Sequence, residues 1–317
     1  MAQEGAIRIR KGKASPLARL RADRAPGAGP RALFVGASLT PIMLVFIVFS
    51  ILPIFAVVIF SFFRYSFALP DHSFRGLSYY QQLVADPLFW NGLQRTALFV
   101  VIAVPLNILV GLSAALGLRR VSRFEGTLRA FFFLPTVIST VAVSLLGLAL
   151  YDPNTGLVNQ VLGALHLPIG HWLSDDATAT PALAVLAVWQ DMGYNVIIFL
   201  AGLQAIPRDF YEAAQIDGAG RLSTFRHITV PLLQRTSSFT IILTVISYLQ
   251  VFTYQEVMLQ GGPNDSTRTI ALYIYDIGIG TVNPLLSQAM AAAVVLLAVT
   301  LLITLVQLRF ARVQWDY

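Results

Sequence analysis

The sequence predicts an all-α integral membrane protein with six transmembrane helices, and three observations carry that prediction. Of its 317 residues, 56% are hydrophobic and only 12% are charged, about half the charged share of an ordinary soluble domain. The apolar residues fall into six separate runs, each long enough for a helix across the ~30 Å hydrocarbon core, which takes about 20 residues. The cations are distributed between those runs as a bilayer sorts them.

Taken in order, the first 31 residues hold eight Lys or Arg and the stretch Ala25-Pro26-Gly27-Ala28-Gly29-Pro30. Such a segment cannot bury a core, and 1–31 is expected to be a disordered basic tail. Residues 32–96 form the first span, 34–63, and an outer loop; a run this long exceeds the apolar region of a cleaved signal. The remaining spans, 97–118, 130–151, 182–206, 236–256 and 285–308, belong to one membrane domain, 97–309, followed by a short tail, 310–317. Pro41, Pro53, Pro105 and Pro135 lie in or near spans and are expected to kink them, the freed backbone groups being satisfied by neighbouring helices.

Orientation follows from the cations. With alternate connections on opposite sides, one side collects 18 of the 22 Lys and Arg, and the other keeps Arg64, Arg75, Arg95 and Arg268. Acidic residues divide seven to each side, with Asp191 and Glu256 inside spans, so the asymmetry belongs to the cations alone. This is the positive-inside pattern. It predicts a multi-pass protein of the inner or plasma membrane with both termini cytoplasmic and 64–96, 152–181 and 257–284 facing outward.

Several chemistries are excluded. There is no cysteine, hence no disulfide, thiolate metal site or cysteine nucleophile. A P-loop needs a lysine among glycines, and the only lysines are Lys11 and Lys13 in the tail. His72, His166, His171 and His227 show no metal-ligand spacing, and no Gly-x-Ser-x-Gly elbow occurs. Nothing in these patterns supports an enzyme active site, a resident metal or a cofactor. The net charge of +6 reports topology rather than nucleic-acid binding.

The most informative segment lies between the fourth and fifth spans. Pro207 suits a first helical turn, Asp209 and Glu212 favour the positive end of a helix dipole, and Gly218 can take the left-handed conformation that ends a helix. A short amphipathic helix is therefore predicted, with Phe225, Ile228 and Val230 leading to Pro231 at the start of the next. Glu212-Ala213-Ala214, Gly218, Ile228 and Pro231 keep the spacing of the EAA loop of ATP-binding-cassette importer permeases. Asp217-Gly218-Ala219 matches the extended form of their carbohydrate-uptake branch, which this chain resembles over roughly 93–309. Beyond the fifth span, Gly261-Gly262-Pro263, Thr267 and Tyr273-Ile274-Tyr275 are similar to a string often found in permeases for maltose and multiple sugars.

That resemblance implies a type I importer permease: a five-helix core plus an N-terminal helix. It implies that the loop 207–231 is a coupling element, through Glu212, Ala213, Ala214, Asp217, Gly218 and Pro231. The implied partners are two ATPase subunits, which bind ATP and Mg in place of this chain, a second and different permease, and an extracytoplasmic solute-binding protein. The implied function is ATP-driven uptake of a sugar, a di- or oligosaccharide. A glycerol-phosphate permease of the same family is the alternative, and a secondary transporter a more distant one.

For the solute, Asp191 lies nine residues into the expected fourth span, about 12 Å down at 1.5 Å per residue. A carboxylate there is a functional-site candidate by default, with an interhelical hydrogen-bond cluster as the other reading. Asn195 shares its face, with Gln190 and Tyr194 adjacent, and in the fifth span Thr244, Tyr248 and Val251 form one stripe flanked by Ser247. The resemblance aligns Gln190, Gly193, Thr244, Ser247, Tyr248 and Val251 with sugar-pocket positions. No expected span contains Lys or Arg, which disfavours a phosphorylated solute, since a dianion would want a fixed cation.

Overall fold

A computed structural model describes residues 28–65, 73–119, 125–280 and 285–310, and the chain divides into two units, Met1–Ala56 and Val57–Tyr317. The expectations for 1–27 and 311–317 lie outside the described residues. Helix α1, Ala28–Phe46, runs through a π-helical turn, Ile47–Ile51, into α2, Leu52–Phe60. It starts four residues inside the expected disordered tail, because Pro30 falls in the first turn, where backbone N–H groups lack helical partners anyway. The π-helical turn precedes Pro53, which cannot donate to the carbonyl four residues back; widening the ladder relieves the ring against it. The stretch Phe34–Phe60 buries none of its most apolar window within the chain, as a lipid-facing helix requires.

In the second unit, α3 is Ser78–Ala85 and α4 is Pro87–Leu118. Helix α4 starts ten residues before the predicted span. Asp86 caps it, accepting from Leu88 N at 2.9 Å, and Pro87 occupies the first helical position, the place it fits best. The fourth span is likewise longer than 182–206. Helix α8, Asp176–Ala205, is capped by Asp175, which accepts from Ala177 N at 3.1 Å. Asp191 therefore lies fifteen residues into the helix, about 22 Å from its start, at the middle of α8.

Two predicted spans are broken. In place of a continuous 130–151, α5, Glu125–Val137, and α6, Thr140–Leu150, meet at 94°. Pro135 removes a ladder donor in the last turn of α5, and Ser139 is extended at φ −56°, ψ 134°. Counting the bent pair as one, the described residues hold six candidate spans. In place of a continuous 236–256, α10, Gln234–Leu249, stops and α11, Thr253–Leu259, follows after Gln250–Phe252. Freed backbone groups within a bilayer need internal partners, and both breaks have them. Gln190 Nε2 donates to Ile138 O at 2.8 Å, and Thr269 Oγ1 to Val251 O at 2.9 Å.

Between these elements, α7, Leu157–Ala164, lies in the connection after α6, and α9, Arg208–Ile216, in the one after α8; α12, Ile270–Gly278, and α13, Leu286–Phe310, complete the order. The turn into α7 is set by Asp152, whose carboxylate accepts from Thr155 N, Thr155 Oγ1 and Asn154 N. The two Thr155 bonds and the Asn154 amide hold it below the usual carboxylate range.

Helix α8 is the axis of the bundle. It buries 67% of its most apolar stretch, against 17% for α13, and packs most extensively on α4 and then α5. Lipid is as apolar as leucine, so association here rests on close packing and small residues. Ala179, Ala184 and Ala187 on α8 and Ala103 on α4 are fully buried, which lets the backbones approach. Leu301, Leu302 and Leu305 of α13 stay exposed, as side chains facing lipid would.

The loop that carries the Gly261-Gly262-Pro263 string ties to two of these helices. Thr267 Oγ1 donates to Gly262 O at 2.6 Å, Asn91 of α4 to Asp265 O at 2.9 Å, and Thr180 of α8 to Ser266 O at 2.8 Å. Tyr273 of the same motif donates to Asp86 Oδ2 at 2.7 Å. Burial first, and then the Asp86 carboxylate, push the Tyr273 phenol well above its ordinary range, so it remains a donor.

Candidate functional site

Two places stand out: a polar pocket midway along α8 and the exposed helix α9. The pocket, about 180 Å³, is lined by Asn107, Thr136, Asp191, Tyr194, Asn195, Leu243, Thr244, Ser247 and Tyr248, smaller than the usual drug-sized site. Its floor is a hydrogen-bonded chain. Asn195 Nδ2 donates to Asn107 Oδ1 at 2.8 Å and to Thr244 Oγ1 at 3.1 Å, while Asn107 Nδ2 donates to the Tyr248 hydroxyl at 2.5 Å. A network this fully paired fixes its side chains in one arrangement. Asp191 and Tyr248 are electrostatic neighbours, and Asp191 is the one charged side chain in the lining. Tyr194, 51% exposed, offers a ring face at the wall.

Of the residues expected along a solute path, Asp191, Asn195, Thr244, Ser247 and Tyr248 come together here, and Gln190, Gly193 and Val251 do not line the pocket. Gln190 turns toward the α5–α6 break: its Nε2 bonds Ile138 O, and its Oε1 accepts from Tyr254 at 2.6 Å. Gly193 lies where α8 packs tightly on α5: a Cβ there would stand 2.4 Å from Phe132 O. Val251 sits in the break between α10 and α11, its carbonyl held by Thr269. Sequence reasoning missed Asn107 and Thr136. Asn107 carried a signal, being the lone amide in the apolar run 97–118, where a polar side chain is costly.

Gln190 thus holds a part-buried carbonyl at a bend that would otherwise leave it unpaired. Gln190→Leu is expected to destabilise the protein by about 1–3 kcal/mol, seen as earlier thermal aggregation in detergent. Tyr254→Phe, which removes one donor to the same amide, should cost less. Equal stability of Gln190→Leu and the parent would exclude the bracing role.

Helix α9 has the opposite character. Glu212, Ala213, Asp217, Gly218 and Pro231 are exposed, whereas Ala214 is buried. Its end is a complete Schellman arrangement: Ala219 N donates to Ala214 O at 2.9 Å and Gly218 N to Gln215 O at 3.2 Å, with Gly218 at φ +74°. Here the glycine is required, since other L-residues adopt that conformation at a cost. A π-helical segment, Phe225–Thr229, leads through Pro231 to α10. Phe210, Ile216 and Leu222 stand out from this loop, Ile216 at 86% and Leu222 at 78% exposure.

Residues 107–314 match the model of a family described as binding-protein-dependent transport system inner membrane component. A probable ABC transporter permease of Bacillus subtilis (strain 168) is 35% identical over 84% of this chain and 92% of its own length. The lactose transport system permease of Rhizobium radiobacter is 36% identical over 75% of this chain and 81% of its own. Among solved structures, a bacterial ABC transporter that imports the acidic polysaccharide alginate contains a chain with a similar fold. The TM-score is 0.76, at 24% identity, over 93% of this chain and 98% of that one.

Proposed function

The chain belongs to the family of binding-protein-dependent transport system inner membrane components, and on that premise we propose that it is the permease subunit of an ATP-driven sugar importer. Helix α9 is the observation that carries the reading. It is a short, firmly capped helix presenting Glu212, Phe210 and Ile216 on the side of the chain richest in arginine, a place for a separate ATPase to dock. The positive-inside pattern puts this helix and both termini in the cytoplasm. A second, different permease and an extracytoplasmic binding protein complete the assembly.

The lining of the pocket supports a sugar, and the resemblance to sugar permeases a di- or oligosaccharide. That lining of one carboxylate, two asparagines and five hydroxyls matches a solute that is itself a dense array of hydroxyls, and the ring of Tyr194 can cover an apolar sugar face. No cation lines it among the described residues, which disfavours a glycerol phosphate. The relatives' naming for lactose uptake and alginate import agrees with this choice. The sharp bend between α5 and α6 is a feature of secondary transporters as well, but the EAA helix has no use in them.

Uptake proceeds by alternating access. The binding protein delivers sugar from outside; ATP draws the ATPase subunits and their docked helices together, opening the pocket outward. Hydrolysis then resets the inward-facing state.

The test is purification of the tagged chain in mild detergent, with identification of copurifying subunits and measurement of ATPase activity. An ATPase and a sister permease are expected; a chain recovered alone, without hydrolysis, would refute the importer. Asp191→Leu in the assembled complex should reduce uptake of the transported sugar at least about tenfold while the ATPase subunits still copurify. Parental uptake in that variant would remove Asp191 from the solute path.

A further inference from the structure

One phenol joins three elements near the exposed helix. Tyr211, on α9, packs against the buried cluster of Leu118, Phe199, Leu203 and Leu233. The Arg119 guanidinium at the end of α4 lies 4.4 Å from the centre of its ring, and Arg119 Nη1 donates to the Tyr211 hydroxyl at 2.9 Å. That hydroxyl is 3.3 Å from Thr229 Oγ1, a buried side chain closing the π-helical segment before α10.

The covalent path from α9 to α10 is softer. It runs through Gly218 and Gly220, where even an added Cβ would meet nothing within 4 Å. Helix α4 is not adjacent to α9 in the sequence at all. A displacement of α9 is passed on stiffly only where side chains pack and bond, and Tyr211 supplies that contact to both. Arg119 lies twelve residues, about 18 Å of helix, from Asn107 in the pocket, and α10 carries Thr244 and Tyr248.

We propose that Tyr211 is a positioning residue that makes α4 and α10 follow α9, so that movement of the docked helix reaches the polar pocket. The inference rests on the coupling role proposed above for α9.

The chain has no cysteine, so Val101→Cys, at a 68% exposed position of α4, can carry an environment-sensitive fluorophore. The complex bearing the cysteine-free chain serves as background. In the complex purified by a tag on this chain and placed in nanodiscs, a non-hydrolysable ATP analogue should shift the emission. Tyr211→Leu and Arg119→Gln should each reduce that shift about fivefold with equal copurification of the ATPase subunit. Tyr211→Phe, which keeps the ring beneath the guanidinium, should reduce it less. The double variant should fall no further than the worse single one, because both remove one contact.

A parental shift in Tyr211→Leu, or additive losses in the double variant, would overturn the proposal. Should Tyr211→Leu fail to accumulate, an unchanged shift in both Arg119→Gln and Tyr211→Phe does the same. A parental complex that contains no ATPase subunit would instead overturn the importer reading, and this inference with it.

Discussion

Glu212→Lys is expected to abolish uptake while the chain still inserts and accumulates in the membrane. Glu212 is exposed on α9 and makes no contact that the bundle needs. It is the fifth residue of α9, beyond the first turn where the helix dipole acts, and a surface substitution there costs the fold within about 0.5 kcal/mol. Reversing a charge on a docking surface costs several times that, because a like charge then faces its partner. Gly218→Asp should have the same outcome by another route. An added Cβ meets nothing within 4 Å, so no packing is lost, and the left-handed backbone costs a side chain about 1–2 kcal/mol. The new carboxylate, however, projects beside Asp217 at the negative end of the helix dipole. Uptake of labelled sugar, set against the amount of chain in the membrane fraction, measures both variants. Parental uptake in the two of them would remove α9 from coupling.

Gly193→Ala, a single methyl, should destabilise the protein by roughly 2 kcal/mol or more. The added Cβ would stand 2.4 Å from Phe132 O and 2.8 Å from Phe133 Cα. Both are backbone atoms, which cannot turn aside as a flexible side chain would, so α5 and α8 must part. Gly117→Ala and Gly163→Ala are the controls: they too lie in helices, with nothing within 4 Å, and alanine there should be neutral or slightly stabilising. Thermal aggregation in detergent compares the three, and equal midpoints would show that the α5–α8 contact is looser than its geometry.

The legible part of the site was the part contained in one segment. Helix α9 was readable because Asp209 falls in its first turn and Gly218 ends it at φ +74°; Pro207 stands just before the helix rather than in its first turn, and Glu212 lies beyond that turn. The pocket was readable only by halves. Asp191 with Asn195, and Thr244 with Tyr248, are helical neighbours and declare a common face. Asn107 and Thr136 come from two other helices, and no spacing links them to α8. Gln190 shows the limit best: it sits beside Asp191 in sequence, yet its amide turns to the carbonyl of Ile138.

By itself, then, the sequence determined the solvent, the spans, the side on which cations gather and the capped helix between α8 and α10. These depend on run length, charge position and backbone preference, all written in consecutive residues. Only the tertiary structure decided where the third and fifth spans break and which polar residues share the pocket. A helix can stop inside a bilayer only where another helix satisfies the exposed carbonyl. Gln190 and Thr269 do so at Ile138 and Val251, from positions 52 and 18 residues away in the chain.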